Sequence, residues 1–277
     1  MKGIDDFSRP EEYISPFDRH FRRVMRNHLE TWVMPERRRY DEDWKDHRLI
    51  GPAFDRLMVD LGLQKALFPQ EHGGWGLAKS DSVFRVGYML CEELGRADTG
   101  MAVALAVTFW PLIVITVEPY VNDRLIAEFA PMFCNARKAV FAANAMTEPQ
   151  GGADIENLGL LGGKTIRTTA RLEGDQWVIN GHKLWPTNSG GVASLFGVPC
   201  TTNPGSSDPR DFAFIYVPAA LPGVTQGGAY EKAGMAADKN SDIWFEDVRV
   251  PSWYRAHGPG RDAEAFYQII SFGQVMS

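Results

Sequence analysis

The sequence is poor in cysteine and histidine, the residues that build disulfide frameworks and many metal sites. Its three cysteines, Cys91, Cys134 and Cys200, lie far apart and form no CxxC pair. This spacing predicts a reduced intracellular protein without a disulfide framework. The six histidines are scattered, with no His/Cys cluster at metal-ligand spacing, so no metal site is predicted.

Phosphate-binding and nucleophile motifs are missing as well. There is no GxGxxG and no GxSxG, so neither a dinucleotide fingerprint nor a serine hydrolase is supported. The stretch GLLGGKT at 159–165 has three residues between its first glycine and GK, where a P-loop needs four. His182 is a base by residue type, but its predicted hairpin offers no obvious carboxylate to orient it.

Charge and hydropathy exclude further classes. The net charge of −6 argues against a general nucleic-acid partner. The basic run at 19–39 interleaves arginines with apolar residues at helical spacing, which favours a solvated helix face over a phosphate-binding patch. The acidic N-terminus lacks an apolar core, so no secretory or mitochondrial targeting segment is predicted and a cytoplasmic location is expected.

One apolar run, 101–117, is as long as the shortest membrane spans. It contains Thr108 and Pro111, and no lysine or arginine flanks it closely. We therefore predict no membrane span but a buried core helix, broken near Pro111.

The first half of the chain has helical periodicity and the second half has strand patterns. Helices are predicted at 19–39, 50–61, 80–96, 101–117 and 121–133, with Ser80 or Asp81 and Asn122 as caps. Strands are predicted at 138–146, 164–174, 175–186, 192–202, 211–218 and 241–251, and a helix follows.

These patterns predict an α+β fold. An N-terminal all-α helical domain (1–137) precedes a small β-barrel or sandwich domain (138–251), and 252–277 begins a C-terminal helical bundle. We found no internal repeat and no low-complexity segment.

The stretch AMTEPQGGAD at 145–154 is dense in hydroxyl, glycine and carboxylate directly after an apolar run. Taken alone it favours a surface turn over a cofactor loop. Read with WVINGHKLWPTNSG (177–190) and IWFEDVRVP (243–251), it resembles the middle domain of the acyl-CoA dehydrogenase family, whose pattern is TEPxxGSD, xxINGxKxWITN and FxxVxVP. PQEHGGWG (69–76) and CEELGRADTGMAVAL (91–105) resemble its N-terminal half, so the resemblance covers about residues 20–277.

The resemblance implies FAD-dependent α,β-dehydrogenation of an acyl-CoA thioester. In the family, the TEP loop and the W-x-T loop face the flavin, where a hydroxyl and backbone N–H groups stabilise the reduced ring. Met146 and Thr147 would supply donors, Gly152 would permit close approach, and Thr187 would lie near the hydride-accepting N5. The cofactor-binding residues implied are Asn144, Met146, Thr147, Gly152, Ala153, Trp185, Pro186 and Thr187.

The chain departs from the family pattern at three positions. Ala153 replaces a serine and removes one hydrogen bond, which is worth about 1 kcal/mol. Pro186 replaces an isoleucine and removes a backbone donor. His72 stands where tyrosine is usual. Phe109, Trp110 and Tyr88 could line an acyl pocket, although core packing is the more frequent role of such residues.

The resemblance implies a catalytic glutamate from a C-terminal helical domain, and no residue here matches it. Glu148 lies in the TEP loop and is not assigned as the base. An acyl-CoA substrate, an electron-transfer flavoprotein as acceptor and a homo- or heterotetramer are implied. Two alternatives stay open: a non-catalytic FAD- or acyl-CoA-binding subunit that pairs with a catalytic chain, and a flavin monooxygenase or oxidase on the same fold.

Overall fold

The computed structural model describes residues 14–152, 155, 166–206 and 208–276. Residue 153 and the segment 159–165 therefore lie outside the described residues. The helices are α1 (Pro16–Trp32), α2 (Arg37–Tyr40), α3 (Ile50–Asp55), α4 (Val83–Ala97), α5 (Thr99–Thr116), α6 (Asp123–Cys134) and α7 (Arg261–Met276). The strands are β1 (Phe141–Asn144), β2 (Thr169–Glu173), β3 (Gln176–Lys183), β4 (Ala193–Thr201), β5 (Phe212–Pro218), β6 (Val224–Gln226) and β7 (Ile243–Pro251).

Helix α1 begins with a capping box, in which Ser15 and Asp18 exchange side-chain and backbone hydrogen bonds. Its apolar face packs on α4. Two of its arginines, Arg22 and Arg26, form ion pairs with the buried Glu93 of α4. The basic run is therefore partly used in packing and is not wholly a solvated face.

Helix α5 is the core of the helical half, buried against α4, α6, α7 and β1. Among the described helices it alone is long and apolar enough to cross a membrane, and 67% of it is buried inside the protein. The predicted break near Pro111 is wrong, because the helix continues through that residue. Packing on several sides holds this turn in place despite the missing N–H.

Local signals set several other boundaries. Gly62, with φ +76°, ends the helical stretch that α3 begins, as predicted. Asn122 accepts a hydrogen bond from the N–H of Leu125 and caps α6, also as predicted. The cap predicted for α4 is wrong, since the N-cap residue is Ser82 rather than Ser80 or Asp81.

The second half forms one curled, seven-stranded sheet with the order β1-β4-β2-β3-β7-β6, and β5 pairs with β4. The β1–β4 pair is parallel and the β2–β3 hairpin is antiparallel. That hairpin turns at Gly174, which has φ +61°. The short strand β6 was not predicted. The α+β class, helical half first and β half second, is confirmed.

Helix α7 follows the sheet and packs back on α5 and β5. Its first turn is fixed by Asp262, a buried carboxylate that accepts from the backbone N–H of His257 and from Arg255 Nε. Phe266 contacts the rings of Phe212 and Phe214 on β5. The helix therefore contacts both the helical half, at α5, and the sheet, at β5. The domain limits 1–137, 138–251 and 252–277 stay a prediction.

Candidate functional site

A cavity of about 500 Å³ lies at the junction of the helical half and the sheet. One wall is the segment of α5 from Thr99 to Trp110, with Cys91 and Gly95 of α4 beside it. The opposite wall is built by the chain that leaves β1 and by the chain that leaves β3. Its size is within the range of small-molecule and cofactor sites. Six of the predicted cofactor residues line it: Asn144, Met146, Thr147, Trp185, Pro186 and Thr187.

Asn144 ends β1 and is 5% exposed. Both polar atoms of its side chain are buried and have no hydrogen-bond partner among the residues that the structure describes. A buried amide without partners costs about 1–3 kcal/mol, so natural proteins rarely leave one unpaired. Because Asn144 lines the cavity, its amide is available to hydrogen-bond a ligand there.

A buried ion pair between Lys183 and Glu148 stabilises the loop after β1. Lys183 Nζ lies 2.8 Å from Glu148 Oε1, and both side chains are at most 1% exposed. The carboxylate also accepts from the N–H groups of Arg167 and Thr168, at 2.6 and 3.0 Å. Burial alone would raise the pKa of Glu148, but Lys183 and the hydrogen bonds outweigh it and lower that pKa.

Lys183 joins three segments, because its ammonium also donates to the carbonyls of Met146 and Pro199 at 3.1 and 2.9 Å. The Leu184 N–H donates to the Thr147 carbonyl at 2.8 Å. These bonds fix Thr147 at the cavity wall. Glu148 points away from the cavity into this network, which supports its exclusion as a catalytic base.

The loop after β3 has two residues in the left-handed backbone region, Trp185 at φ +39° and Asn188 at φ +70°. Trp185 is 53% exposed and lines the cavity. Asn188 is buried, and its amide donates to the carbonyl oxygens of Ala104 on α5 and Ala142 on β1 at 2.8 and 3.0 Å. One side chain thus ties this loop to both halves of the protein.

Asp238 braces the same loop from the segment before β7. It is 4% exposed and accepts from the Asn188 N–H at 3.2 Å and from the Thr187 hydroxyl at 3.4 Å. Lys232 Nζ lies 3.0 Å from its carboxylate. Asn240 donates to the Trp185 carbonyl at 2.9 Å. A second opening of about 420 Å³, lined by these residues, adjoins the cavity at Trp185 and Thr187.

The far end of the cavity is apolar. Trp110 of α5 lies against Gly273 of α7, where an added Cβ would come within 2.5 Å of the indole ring. The indole N–H is buried and has no partner in the described part of the chain. Burial raises the pKa of the neighbouring Cys91 thiol to about 11, so this cysteine is a neutral wall residue and not a nucleophile.

Some predicted positions lie elsewhere. Gly152 is exposed and does not line the cavity, and an added Cβ there would meet no atom within 4 Å. Ala153 lies outside the described residues. Among the predicted aromatics, Trp110 lines the cavity, Phe109 lines a small apolar pocket next to it, and Tyr88 is 48% exposed.

The statement that His182 lacks an orienting carboxylate is wrong, since its Nε2 lies 3.0 Å from Asp242 Oδ2. The ring stacks on Trp244 at 4.9 Å and does not line the cavity, so it has no position from which to act there. Sequence reasoning also missed Lys183, Asp238 and Asn188. The pattern NGHKLWPTN contains two of them, but only the fold shows what they contact.

Two family models match the chain in succession. The acyl-CoA dehydrogenase N-terminal domain matches residues 15–135, and the acyl-CoA dehydrogenase middle domain matches residues 143–248. The chain belongs to the acyl-CoA dehydrogenase family.

Individual members of the family and of the fold agree with this assignment. Cyclohexane-1-carbonyl-CoA dehydrogenase of Syntrophus aciditrophicus is 32% identical over 210 residues, covering 75% of this chain and 49% of that protein. An acyl-CoA dehydrogenase from Bacillus anthracis, solved in complex with FAD, has a TM-score of 0.75 at 23% identity, covering 96% of this chain and 42% of that one.

A nitroalkane oxidase has a TM-score of 0.77 at 23% identity, covering 95% of this chain and 65% of that one. The fold is therefore shared by dehydrogenases and by an oxidase. The chain spans about half the length of the curated relatives it matches.

Proposed function

We propose that this chain binds FAD in the cavity between α5 and the two sheet loops and serves the α,β-dehydrogenation of an acyl-CoA thioester. The observation that carries the proposal is the buried amide of Asn144, unpaired among the described residues and beside Thr147 and Thr187 in one cavity. An unpaired buried amide in the wall of a cavity supports a ligand at that place.

The residues present fit a flavin ring system. Its edge carries several hydrogen-bond donors and acceptors on a flat apolar body, and the cavity has polar groups on the sheet side and apolar residues on the α5 side. Asn144 can both donate and accept. An added Cβ at Gly152 would meet no atom within 4 Å, and this residue is proposed to pass close to the rest of the dinucleotide.

FAD would supply the two-electron acceptor of the reaction. The chain's own residues position it and exclude water. The backbone at Thr147 is held by Lys183, which donates to the Met146 carbonyl, and by the Leu184 N–H, which donates to the Thr147 carbonyl, so this segment needs little reorganisation during turnover. Trp185 covers the ring at the cavity mouth, and Pro186 stiffens the backbone between Trp185 and Thr187. Met146 is proposed to contact the ring through its backbone, whose N–H now lies 3.1 Å from the Asn144 carbonyl.

We propose that the general base is a carboxylate from the part of the relatives' length that this chain does not span. The proposal also includes an electron-transfer flavoprotein as acceptor, a tetrameric assembly and a cytoplasmic location. It keeps the domain limits 1–137, 138–251 and 252–277. These points are supported by family membership. The acyl group is proposed to lie along the apolar end of the cavity, near Trp110 and Gly273.

The test is to purify the chain, measure flavin absorbance, and titrate with a panel of CoA thioesters. Bound flavin at about one per chain is the expected result. Asn144→Leu should lower flavin affinity at least tenfold, whereas Gln176→Leu, on β3 outside the cavity lining, should not change it. A chain that takes up no flavin, or one whose affinity Asn144→Leu leaves unchanged, would contradict the proposal.

Two alternatives are separated by the same preparation. A non-catalytic subunit would bind flavin or thioester and bleach only when mixed with a longer homologous chain. An oxidase, a chemistry that the nitroalkane oxidase fold neighbour keeps open, would consume oxygen after reduction. A reduced protein that is inert to oxygen with thioester bound would support the dehydrogenase.

A further inference from the structure

Trp110 of α5 has a hydrogen-bond donor at the apolar end of the cavity. Its indole N–H is buried and has no partner among the residues that the structure describes. An added Cβ at Gly273 of α7 would lie 2.5 Å from Trp110 Cζ2 and 3.2 Å from Cε2, the atom bonded to the indole nitrogen. The N–H is therefore next to the ring edge that faces α7, and both residues line the cavity.

The indole nitrogen can donate one hydrogen bond and can accept none. The neighbouring wall residues Ala106 and Val107 of α5 have no side-chain acceptor to offer it. A ligand that covers a buried donor and brings no acceptor binds less tightly, because the donor stays unpaired. Trp110 is therefore suited to an acceptor atom on the part of a ligand that lies at this end.

The cavity wall also limits the charge of that part of the ligand. Among the described residues that line the cavity, none is acidic, basic or a histidine. Lys232 lines the adjoining second opening, and its ammonium lies 3.0 Å from the Asp238 carboxylate. A carboxylate at the Trp110 end would be buried without a cationic partner, which is costly. A neutral oxygen avoids this cost.

We propose that Trp110 is a specificity-determining residue, and that the substrate is an uncharged acyl thioester with an oxygen acceptor on its acyl group. This substrate class rests on the proposed function, which places the acyl group near Trp110 and Gly273. The reaction removes hydrogens from the α and β carbons, so the oxygen belongs to a carbon beyond them. The Trp110 N–H donates to this hydroxyl, oxo or ether oxygen.

The experiment compares pairs of CoA thioesters that differ only in a terminal hydroxyl or methyl group. The pairs are 4-hydroxybutanoyl- and pentanoyl-CoA, 5-hydroxypentanoyl- and hexanoyl-CoA, and 6-hydroxyhexanoyl- and heptanoyl-CoA. Calorimetric titration of the flavin-loaded chain measures each dissociation constant. In at least one pair, the hydroxy thioester should bind about fivefold more tightly than its methyl counterpart.

Trp110→Phe keeps an aromatic ring and removes the N–H. It should weaken the preferred hydroxy thioester about fivefold and leave its methyl counterpart within about twofold. Trp244→Phe is the matched control, because this tryptophan stacks on His182 outside the cavity lining, and it should change neither affinity. If Trp110→Phe does not fold, the hydroxyl preference of the native chain decides the matter.

The charge limit has its own ligand. Glutaryl-CoA places a carboxylate where 5-hydroxypentanoyl-CoA has its hydroxyl, and it should bind about tenfold more weakly to the native chain. Binding of glutaryl-CoA as tight as that of the hydroxy thioester would overturn the uncharged substrate class.

No hydroxyl preference in any pair, or an equal loss for both members of a pair on Trp110→Phe, would overturn this inference and leave flavin and thioester binding intact. A chain that takes up no flavin, or a flavin-loaded chain that binds no thioester, would instead overturn the proposed function, and this inference with it. The two failures are therefore distinguishable.

Discussion

Glu148→Gln should be among the most destabilising single substitutions in the β half. The change keeps the shape of the side chain and removes its charge. Lys183, which is 0% exposed, then has no counter-ion. Its remaining partners are the carbonyls of Met146 and Pro199.

The magnitude follows from the burial of both partners. Removing one member of a buried pair leaves an uncompensated charge and costs about 3–5 kcal/mol. The double variant Glu148→Gln/Lys183→Met has no such charge, and its free energy of unfolding should lie about 2 kcal/mol above that of Glu148→Gln. Glu173→Gln, which removes the partly exposed ion pairs with Arg171 and Arg249, should cost less than about 1 kcal/mol.

Urea unfolding at pH 7, followed by fluorescence and circular dichroism, measures these free energies. The lowered pKa of Glu148 adds a pH signature. Its contribution is fully present above the unfolded-state pKa of about 4.3 and is lost as pH falls through the lower folded-state pKa. The difference in free energy of unfolding between the native chain and Glu148→Gln should therefore become smaller as the pH is lowered. A loss below about 1 kcal/mol at pH 7, or a gap that does not narrow, would refute the reasoning.

Three further outcomes are expected. Asn144→Leu removes an unpaired amide and should therefore raise the free energy of unfolding of the flavin-free chain by about 1 kcal/mol. The same substitution should weaken flavin binding, and thermal melts with and without FAD measure both effects. Gly273→Ala should lower the melting temperature, although alanine has the better helix propensity, because its Cβ would come within 2.5 Å of the Trp110 ring. Trp110→Phe in the same chain should recover part of the lost melting temperature. Cys91 is partly buried, and burial raises the pKa of its thiol to about 11. It should therefore react more slowly with iodoacetamide at pH 8 in the folded chain than in urea, as mass spectrometry would show, and equal rates in both states would count against the raised pKa.

The sequence predicted those parts of the fold that depend on neighbouring residues. Asn122 caps α6 because a cap needs only a short polar side chain. Gly62 ends the helical stretch that begins at Ile50 because that end needs only a residue with positive φ. The strand pattern located six of the seven strands. It missed β6, Val224–Gln226, a three-residue edge strand whose register is set by its pairing with β7.

Tertiary contacts decided the rest. Pro111 did not break α5, because a helix packed on several sides keeps its geometry at a cost that an isolated helix would not bear. Ser80 was an equally good cap by composition, but the N-cap residue is Ser82, whose N–H donates to the Ser80 hydroxyl.

The site shows the same division between local pattern and fold. Thr147 and Thr187 were predicted from motifs 40 residues apart in the sequence, and the structure brings both to one cavity. Asp238 comes from a third segment, in a stretch that reads as an ordinary loop. The fold brings its carboxylate to the Asn188 N–H at 3.2 Å and to the Thr187 hydroxyl at 3.4 Å. No sequence period or spacing reports such a contact.

Asn188 determines how the cavity can open. Its amide donates to a carbonyl of α5 and to a carbonyl of β1, so moving α5 away from the sheet would break the first bond and moving the loop away from β1 would break the second. The exposed side chains of Trp185 and Met235 also line the cavity, and a change in their torsion angles would break neither bond of Asn188.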